Sequence, residues 1–246
     1  MTKMDGTIRI RPIARIENDF DEKFGIPRQS GLVEAVRSRV VFEPAFRNAH
    51  ALKGLDEYSH IWLIWQFSRA VRRNKDENMD EEAGDWSPTV RPPRLGGDVH
   101  MGVFATRSPF RPNPLGLSCV RLEGIVNDEI KGPCLIVSGA DLLNGTPIYD
   151  IKPYLPYADL KADATGGFTD RIKVQPLKIV FPPALLAKIP EEKRPALAGV
   201  LAQDPRPGYH DDPERVYGML FGGYDVRFTV DRGILTVCEV RRMPDV

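Results

Sequence analysis

The sequence has few of the residues that build disulfide scaffolds or metal sites. It contains three cysteines and four histidines among 246 residues. The cysteines are far apart, odd in number and without Cys-x-x-Cys spacing, which excludes a disulfide scaffold and indicates a reducing compartment. Because the histidines show neither His-x-His nor His-Glu-x-x-His spacing, we expect no metal site.

A net charge and long apolar segments are also missing. The 34 basic and 34 acidic residues cancel, so the chain has no overall positive field of the kind that attracts nucleic acid. No segment is long enough for a membrane span, and the charged, alternating N-terminus is unlike a signal peptide. No Gly-x-Gly-x-x-Gly motif joins a strand to a helix, which excludes a Rossmann nucleotide site. We expect a cytoplasmic protein without a membrane partner.

What the sequence does contain is short strand-like segments separated by proline and glycine. Residues 7–16 alternate at period two, with Ile8, Ile10 and Ile16 as candidates for the inner face. Residues 60–67 carry apolar side chains at both odd and even positions, which predicts a strand buried on both faces, or nearly so. Further segments predict a strand over 38–43, a short helix broken at Gly54 over 44–59, and several strands between 90 and 155. Such spacing predicts a mainly β protein, either a barrel or a sandwich.

The C-terminal part has a different pattern. Residues 161–170 have the composition of a linker, Pro190 can begin a helix that Pro205 ends, and two alternating segments flank the turn Asp-Arg-Gly. The sequence therefore predicts two domains, a β domain over residues 1–162 and a small α+β domain over residues 171–246.

The segment GVFATRSPFRPNPLGLS, residues 102–118, combines three prolines with Arg107, Arg111 and Asn113. Proline fixes the backbone and removes its donor, so this segment is a rigid connector and neither a helix nor a central strand. Guanidinium groups are always charged, and their forked shape suits carboxylate and phosphate. The loop predicts an anion-binding site. The alternative is a proline-rich turn with solvated arginines.

Two other polar loops interrupt the β region. SGADLLNGTPIYDIKPYLPY contains Asp141, Asn144, Asp150 and Lys152, and VRPPRLGGDVHMG adds two arginines. An Asn-Gly hairpin turn and an ion pair on one face of a strand would account for the first loop without any function. Three rigid polar loops within about sixty residues are better explained by convergence on one pocket.

Several motifs together resemble the TrmO (TsaA-like) family of tRNA methyltransferases. They are PRQSG, VRPPRLGG, GVFATRSPFRPNPLGLS, NGTPIYDIKPYLPY and QDPRPGY, and the resemblance covers nearly the whole chain. It implies a single-sheet β-barrel that binds S-adenosyl-L-methionine. It also implies N6-methylation of threonylcarbamoyladenosine at position 37, in the anticodon loop of threonine tRNA, by a homodimer. The C-terminal α+β domain would then bind tRNA.

The resemblance also assigns residues to the cofactor. The implied cofactor contacts are Arg28, Gln29, Ser30, Ser68, Arg69, Arg107, Leu117, Asp141, Leu142, Leu143 and Asn144. One position departs from the family, because many relatives have aspartate where this chain has Asn144. Asparagine keeps the hydrogen-bond acceptor but lacks the negative charge that a general base needs.

The implied chemistry requires few groups. Methyl transfer from a sulfonium is an in-line displacement in which positive charge disperses, so positioning matters more than acid or base. The adenine N6 is a poor nucleophile, and Asp150 or Asp141 is a candidate to accept its proton. The threonyl carboxylate needs a cation, for which Arg111 or Lys152 is suited. Arg111, Asp150 and Lys152 form the expected catalytic set. Expected substrate contacts are Phe110, Asn113, Tyr154 and Arg206.

Two alternative functions remain at this point. The chain could be a non-catalytic RNA-binding β-barrel, whose aromatic residues stack bases while its arginines hold phosphate. It could instead be a methyltransferase of the same fold that acts on a small molecule, although the second domain favours a large substrate. The charged segment around residues 74–85 predicts a solvated loop.

Overall fold

The fold is mainly β, as predicted. The computed structural model describes residues 8–67, 86–92, 99–172, 175–206 and 212–244. In chain order its strands are β1 (Ala14–Glu17), β2 (Arg37–Phe42), β3 (His60–Gln66), β4 (Thr89–Val90), β5 (Met101–Gly102), β6 (Leu115–Asp128), β7 (Gly132–Ser138), β8 (Pro147–Pro153), β9 (Lys178–Val180), β10 (Tyr217–Phe221), β11 (Tyr224–Asp231) and β12 (Ile234–Arg242). The α-helices are α1 (Pro156–Asp159), α2 (Pro183–Leu186) and α3 (Arg194–Ala202). None of the helices in the described ranges is long and apolar enough to cross a membrane.

Six strands of the N-terminal part form one sheet in the order β1-β2-β7-β6-β3-β8. Because β8 also pairs with β1, the sheet closes on itself as a barrel. Side chains of a strand alternate between the two faces, and in β3 the inward set Ile61, Leu63 and Trp65 is buried. The outward residues of β3 are only half-buried, so the strand is fully covered on one face. Trp62, for example, lies beside Tyr154 with ring centroids 5.8 Å apart.

The first strand is shorter than predicted. It begins at Ala14, after Pro12, and Ile16 is fully buried in the barrel. Ile8 and Ile10 precede the strand and are exposed, Ile8 by 84% of its surface, so their predicted inward placement is wrong. Proline lacks the N–H that continuous strand pairing requires at this position, which explains the boundary.

The predicted helix over 44–59 is instead three short 3-10 turns. They cover Pro44–Phe46, Ala49–Leu52 and Leu55–Glu57. Gly54 separates the last two with a φ of 82°, a left-handed conformation that glycine adopts without strain. The break at Gly54 is therefore confirmed, and the α-helical conformation is wrong.

The C-terminal strands form a second sheet in the order β10-β11-β12-β9. The hairpin between β11 and β12 turns at Arg232 and Gly233, which both have positive φ, the arrangement typical of a tight two-residue hairpin. A 3-10 turn at Glu191–Lys193, which Pro190 precedes, leads into α3. The predicted helix and hairpin are thus confirmed.

The second hydrophobic core includes residues from the N-terminal part of the chain. Phe20, Val33 and Val36 are buried among side chains of α3 and of the second sheet. The connection is also polar, since Lys193 forms an ion pair with Asp19. The segment 19–36, which contains the PRQSG motif, is therefore held by the C-terminal sheet and helix as well as by the barrel.

Candidate active site

A cavity of about 460 Å³ lies where one end of the barrel meets three loops. Its walls come from the end of β3, the start of β6, the connection between β7 and β8, the segment 23–29 and the proline-rich loop. The residues lining it are Lys23, Ile26, Pro27, Arg28, Gln29, Trp65, Phe67, Arg107, Pro109, Arg111, Leu115, Gly116, Leu117, Asp141, Leu143 and Thr146. The volume lies within the range of small-molecule sites, and the lining is apolar apart from a few convergent polar groups.

Charge in the cavity is strongly asymmetric. Among the described lining residues, four are basic, and Asp141 is the only acidic one. Such a set can hold two carboxylate groups, or a carboxylate and a phosphate, while Asp141 faces a positive or hydroxyl-bearing group.

The two arginines of the proline-rich loop are held by different contacts. Arg107 donates from Nη1 to the side-chain oxygen of Gln29, which in turn donates from Nε2 to the backbone carbonyl of Arg28 at 2.5 Å. Arg111 donates to the carbonyls of Thr106 at 3.1 Å and Val103 at 3.4 Å within its own loop. These contacts fix both guanidinium groups before any ligand binds, which lowers the entropy cost of binding.

Arg28 connects the cavity to the C-terminal part of the chain. Its Nη2 donates to the carbonyl of Arg206 at 3.1 Å. The Arg206 guanidinium is paired in turn with Asp204 at 2.9 Å. Arg206 therefore supports the cavity wall from behind through its backbone, and it is not among the lining residues.

Asp141, the acidic residue of the described lining, is held by a hydrogen-bond chain from the barrel. Ser118 donates to its Oδ1 at 2.5 Å, and Trp65 donates from Nε1 to the Ser118 hydroxyl at 2.9 Å. Burial raises the pKa of the Asp141 carboxyl above its usual value. Hydrogen bonds from Ser118 and from backbone amides, including that of Ser30, act against this shift, as does the charge of Arg107.

Asn144 ties the connection between β7 and β8 to the segment that follows β1. Its Oδ1 accepts from the amide of Asn18 at 3.2 Å, and its Nδ2 donates to Asp21 at 2.9 Å. Gly145 follows with a φ of 76° and continues the turn. Leu142 is fully buried in the barrel core. Neither Leu142 nor Asn144, both expected cofactor contacts, is among the described lining residues, whereas Asp141 and Leu143 are.

Asp150 and Lys152 lie on the outer face of β8 and are not among the lining residues. They form an exposed ion pair with 3.2 Å between Nζ and Oδ2. Asp150 pairs across the sheet with Ile64, which pairs with Leu117 at the cavity edge. Two strand spacings place Asp150 about 10 Å from Leu117.

The expected substrate residues are spread around the cavity. Phe110 lies in the proline-rich loop between the lining residues Pro109 and Arg111, and exposed Asn113 follows them. Tyr154 lies on the outer face of the barrel beside Trp62. Ser68, Arg69 and the segment 74–85 lie outside the described residues.

Several lining or supporting residues were not singled out in the sequence. They are Lys23, Ile26, Trp65, Phe67, Ser118 and Thr146. Ser118 did carry a signal, because a hydroxyl at an inward position of an apolar strand must find a hydrogen-bond partner. The others are ordinary strand or loop residues, and only the closure of the sheet brings them to the cavity.

No group of three or more histidine, cysteine, aspartate or glutamate side chains within the described ranges is placed to hold a metal ion.

Comparison with known proteins gives matches along most of the chain. The family models described as tRNA-methyltransferase O N-terminal domain and TrmO C-terminal domain match residues 15–160 and 175–243. A tRNA (adenine(37)-N6)-methyltransferase of Escherichia coli is 36% identical over 232 residues, which cover 91% of this chain and 94% of that protein. One from Eikenella corrodens is 43% identical over 73% of this chain and 95% of its own. A crystal structure of TrmO from Pseudomonas aeruginosa superposes with a TM-score of 0.73 at 34% identity, covering 96% of this chain and 99% of that one. The chain belongs to the tRNA-methyltransferase O family.

Proposed function

We propose that this chain is an S-adenosyl-L-methionine-dependent methyltransferase that methylates N6 of threonylcarbamoyladenosine at position 37 of threonine tRNA. The observation that carries the proposal is the cavity, where four cationic side chains and, among the described residues, one carboxylate converge. Family membership and the named activities of the Escherichia coli and Eikenella corrodens relatives support the same reaction.

The cavity fits the cofactor by its chemistry. S-adenosyl-L-methionine has a carboxylate, an ammonium group, a sulfonium and a flat adenine, and it supplies an electrophilic methyl group when bound. Arg28, Gln29 and Arg107 would hold the carboxylate end, because they present prealigned donors. Asp141 would face a positive or hydroxyl group, and Trp65 offers apolar surface.

The substrate introduces a second carboxylate on its threonyl group. We assign Arg111 to it, because this side chain lines the cavity and is held by its own loop. In the transfer the N6–C bond forms as the C–S bond breaks, and the N6 proton must leave. Asp141 is better placed than Asp150 to accept it, because only Asp141 lines the cavity.

The outer-face residues fit a different role in the same reaction. Asp150 lies about 10 Å from Leu117 at the cavity edge and Lys152 lies two residues further along β8, distances that an anticodon loop can span. We infer that Lys152 and Tyr154 contact nucleotides flanking the modified base, since a cation and an aromatic ring suit phosphate and base stacking.

The remaining parts of the proposal concern organisation. We propose that the barrel, residues 1–162, is the catalytic domain, that residues 171–246 bind tRNA, and that the enzyme acts in the cytoplasm as a homodimer without a metal. Deleting the gene and analysing tRNA nucleosides by mass spectrometry tests the reaction. The methylated nucleoside should disappear, with its unmethylated precursor retained, and return on complementation. Its persistence in the deletion strain would contradict the proposed function.

A further inference from the structure

A chain of side-chain hydrogen bonds runs from the barrel interior to the cavity. Trp65 of β3 donates from its indole Nε1 to the Ser118 hydroxyl of β6 at 2.9 Å. Ser118 donates to Asp141 Oδ1 at 2.5 Å. Trp65 and Asp141 line the cavity, whereas Ser118 lies beneath them with 1% of its surface exposed.

The direction of this chain is fixed by the chemistry of its members. An indole N–H can only donate, and a serine hydroxyl has one hydrogen. Because Ser118 accepts from Trp65, its own hydrogen is available for Asp141. Oδ1 of Asp141 therefore acts as an acceptor, which favours the carboxylate form.

The chain is also held rigidly. The Trp65 indole packs over Gly116, where a Cβ atom would stand 2.2 Å from indole Cε2. Phe67 packs against the same indole with ring centroids 4.3 Å apart. The glycine thus provides the space that the indole needs, and the Phe67 ring prevents Nε1 from turning away from Ser118.

Several charged and polar groups surround the Asp141 carboxylate. Arg107 faces it from the proline-rich loop, and the backbone amides of Ser30 and of Asp141 itself donate to it. Lys23, Arg28 and Arg111 line the same cavity. The groups around the carboxylate are thus cations and hydrogen-bond donors, which stabilise its negative charge, whereas burial disfavours that charge.

We propose that Trp65 and Ser118 are positioning residues that hold Asp141 as an oriented carboxylate, in which Oδ1 accepts from Ser118 and the carboxylate faces the cavity. The role of this carboxylate toward a positive or hydroxyl group of S-adenosyl-L-methionine, or toward the N6 proton, rests on the proposed function. The hydrogen-bond chain itself does not rest on it.

The test compares Ser118→Ala with Ser38→Ala in the full-length protein. Ser38 is a matched control, because it is also a buried barrel serine and its hydroxyl has no hydrogen-bond partner among the described residues. Carbon-13 NMR of labelled aspartate, with the Asp141 signal assigned from Asp141→Asn, follows the titration without ligand. Ser118→Ala should move the midpoint of Asp141 to higher pH, and Ser38→Ala should leave it unchanged.

Calorimetry then separates the positioning role from the proposed function. Losing a hydrogen bond to a charged group should weaken binding of S-adenosyl-L-methionine about tenfold in Ser118→Ala and not in Ser38→Ala. Trp65→Phe keeps an aromatic ring but removes the donor and part of the ring, and it should move the midpoint in the same direction by less because it acts on Asp141 only through Ser118. Trp65→Phe also provides the test if Ser118→Ala does not fold.

An unchanged Asp141 titration midpoint in a folded Ser118→Ala or Trp65→Phe variant would overturn the positioning role. A moved midpoint with unchanged cofactor affinity would confirm that role and count against the use of Asp141 in the proposed function.

Discussion

Removing residues 171–246 should abolish cofactor binding, although the barrel strands all precede the cut. Phe20, Val33 and Val36 are 0%, 5% and 2% exposed in the second core and would lose most of their cover. Full burial of each such side chain contributes about 1.5–3 kcal/mol. The truncated chain would therefore lose about 5–9 kcal/mol of burial in one segment, which is comparable to the whole stability of a typical domain.

That loss falls on the segment that carries Arg28 and Gln29. In the truncated protein this segment would also lack the Asp19–Lys193 ion pair and the hydrogen bond from Arg28 to the Arg206 carbonyl. We expect the truncated protein to melt at a lower temperature and to show no heat of binding when titrated with S-adenosyl-L-methionine at concentrations that saturate the full chain.

A milder variant isolates the effect of the second core. Leu197→Ala in α3 removes a fully buried side chain of that core, and such changes typically cost 2–5 kcal/mol. It should weaken cofactor binding while the domain remains present. Undiminished cofactor affinity in the truncated protein would refute the view that the C-terminal sheet holds the cofactor segment.

Three further predictions concern single residues of the cavity. Asp141→Asn should raise the melting temperature of the ligand-free protein near neutral pH, because burial raises the pKa of the Asp141 carboxyl in the folded state. Such a carboxyl lowers the stability of the fold as the pH rises from the ordinary pKa to the raised one, so the gain from the substitution should vanish in acid. Melting temperatures without this pH dependence would contradict the prediction. Arg107→Ala should weaken cofactor binding about 10- to 100-fold in calorimetry without altering the melt, because the side chain is exposed; unchanged affinity would remove it from the site. Arg111→Met should narrow the preference for tRNA with threonylcarbamoyladenosine over tRNA with adenosine, chiefly by slowing the former in single-turnover assays; a full rate on the modified tRNA would reassign Arg111 to a structural role.

The sequence allowed much of the local structure to be predicted, because the relevant signals are local. Alternation around Ile16 predicts β1, the Asp-Arg-Gly turn predicts the hairpin between β11 and β12, and Pro190 predicts the start of the last helical segment. Where prediction failed, a neighbouring proline or a distant partner decided the outcome. Because of Pro12 the first strand begins only at Ala14, so Ile8 lies outside it and is exposed.

The candidate site was less accessible to sequence reasoning. The proline-rich loop and Asp141 stand out by composition, and both reach the cavity. The contributions of Trp65 and Ser118 depend on the register between β3 and β6, in which Leu63 is opposite Ser118. The packing of Phe20 and Val33 into the second core joins segments more than 150 residues apart, and no local pattern encodes it.

The proposed reaction is methylation of N6 of threonylcarbamoyladenosine in threonine tRNA by this chain. The most direct measurement incubates the purified protein and methyl-labelled S-adenosyl-L-methionine with threonine tRNA that either carries or lacks the threonylcarbamoyl group, and then identifies the labelled nucleoside by mass spectrometry. We predict one labelled methyl group on threonylcarbamoyladenosine and almost none on the tRNA that has plain adenosine at position 37. Cofactor binding without methyl transfer to either tRNA, or label on a different nucleoside, would contradict the claim.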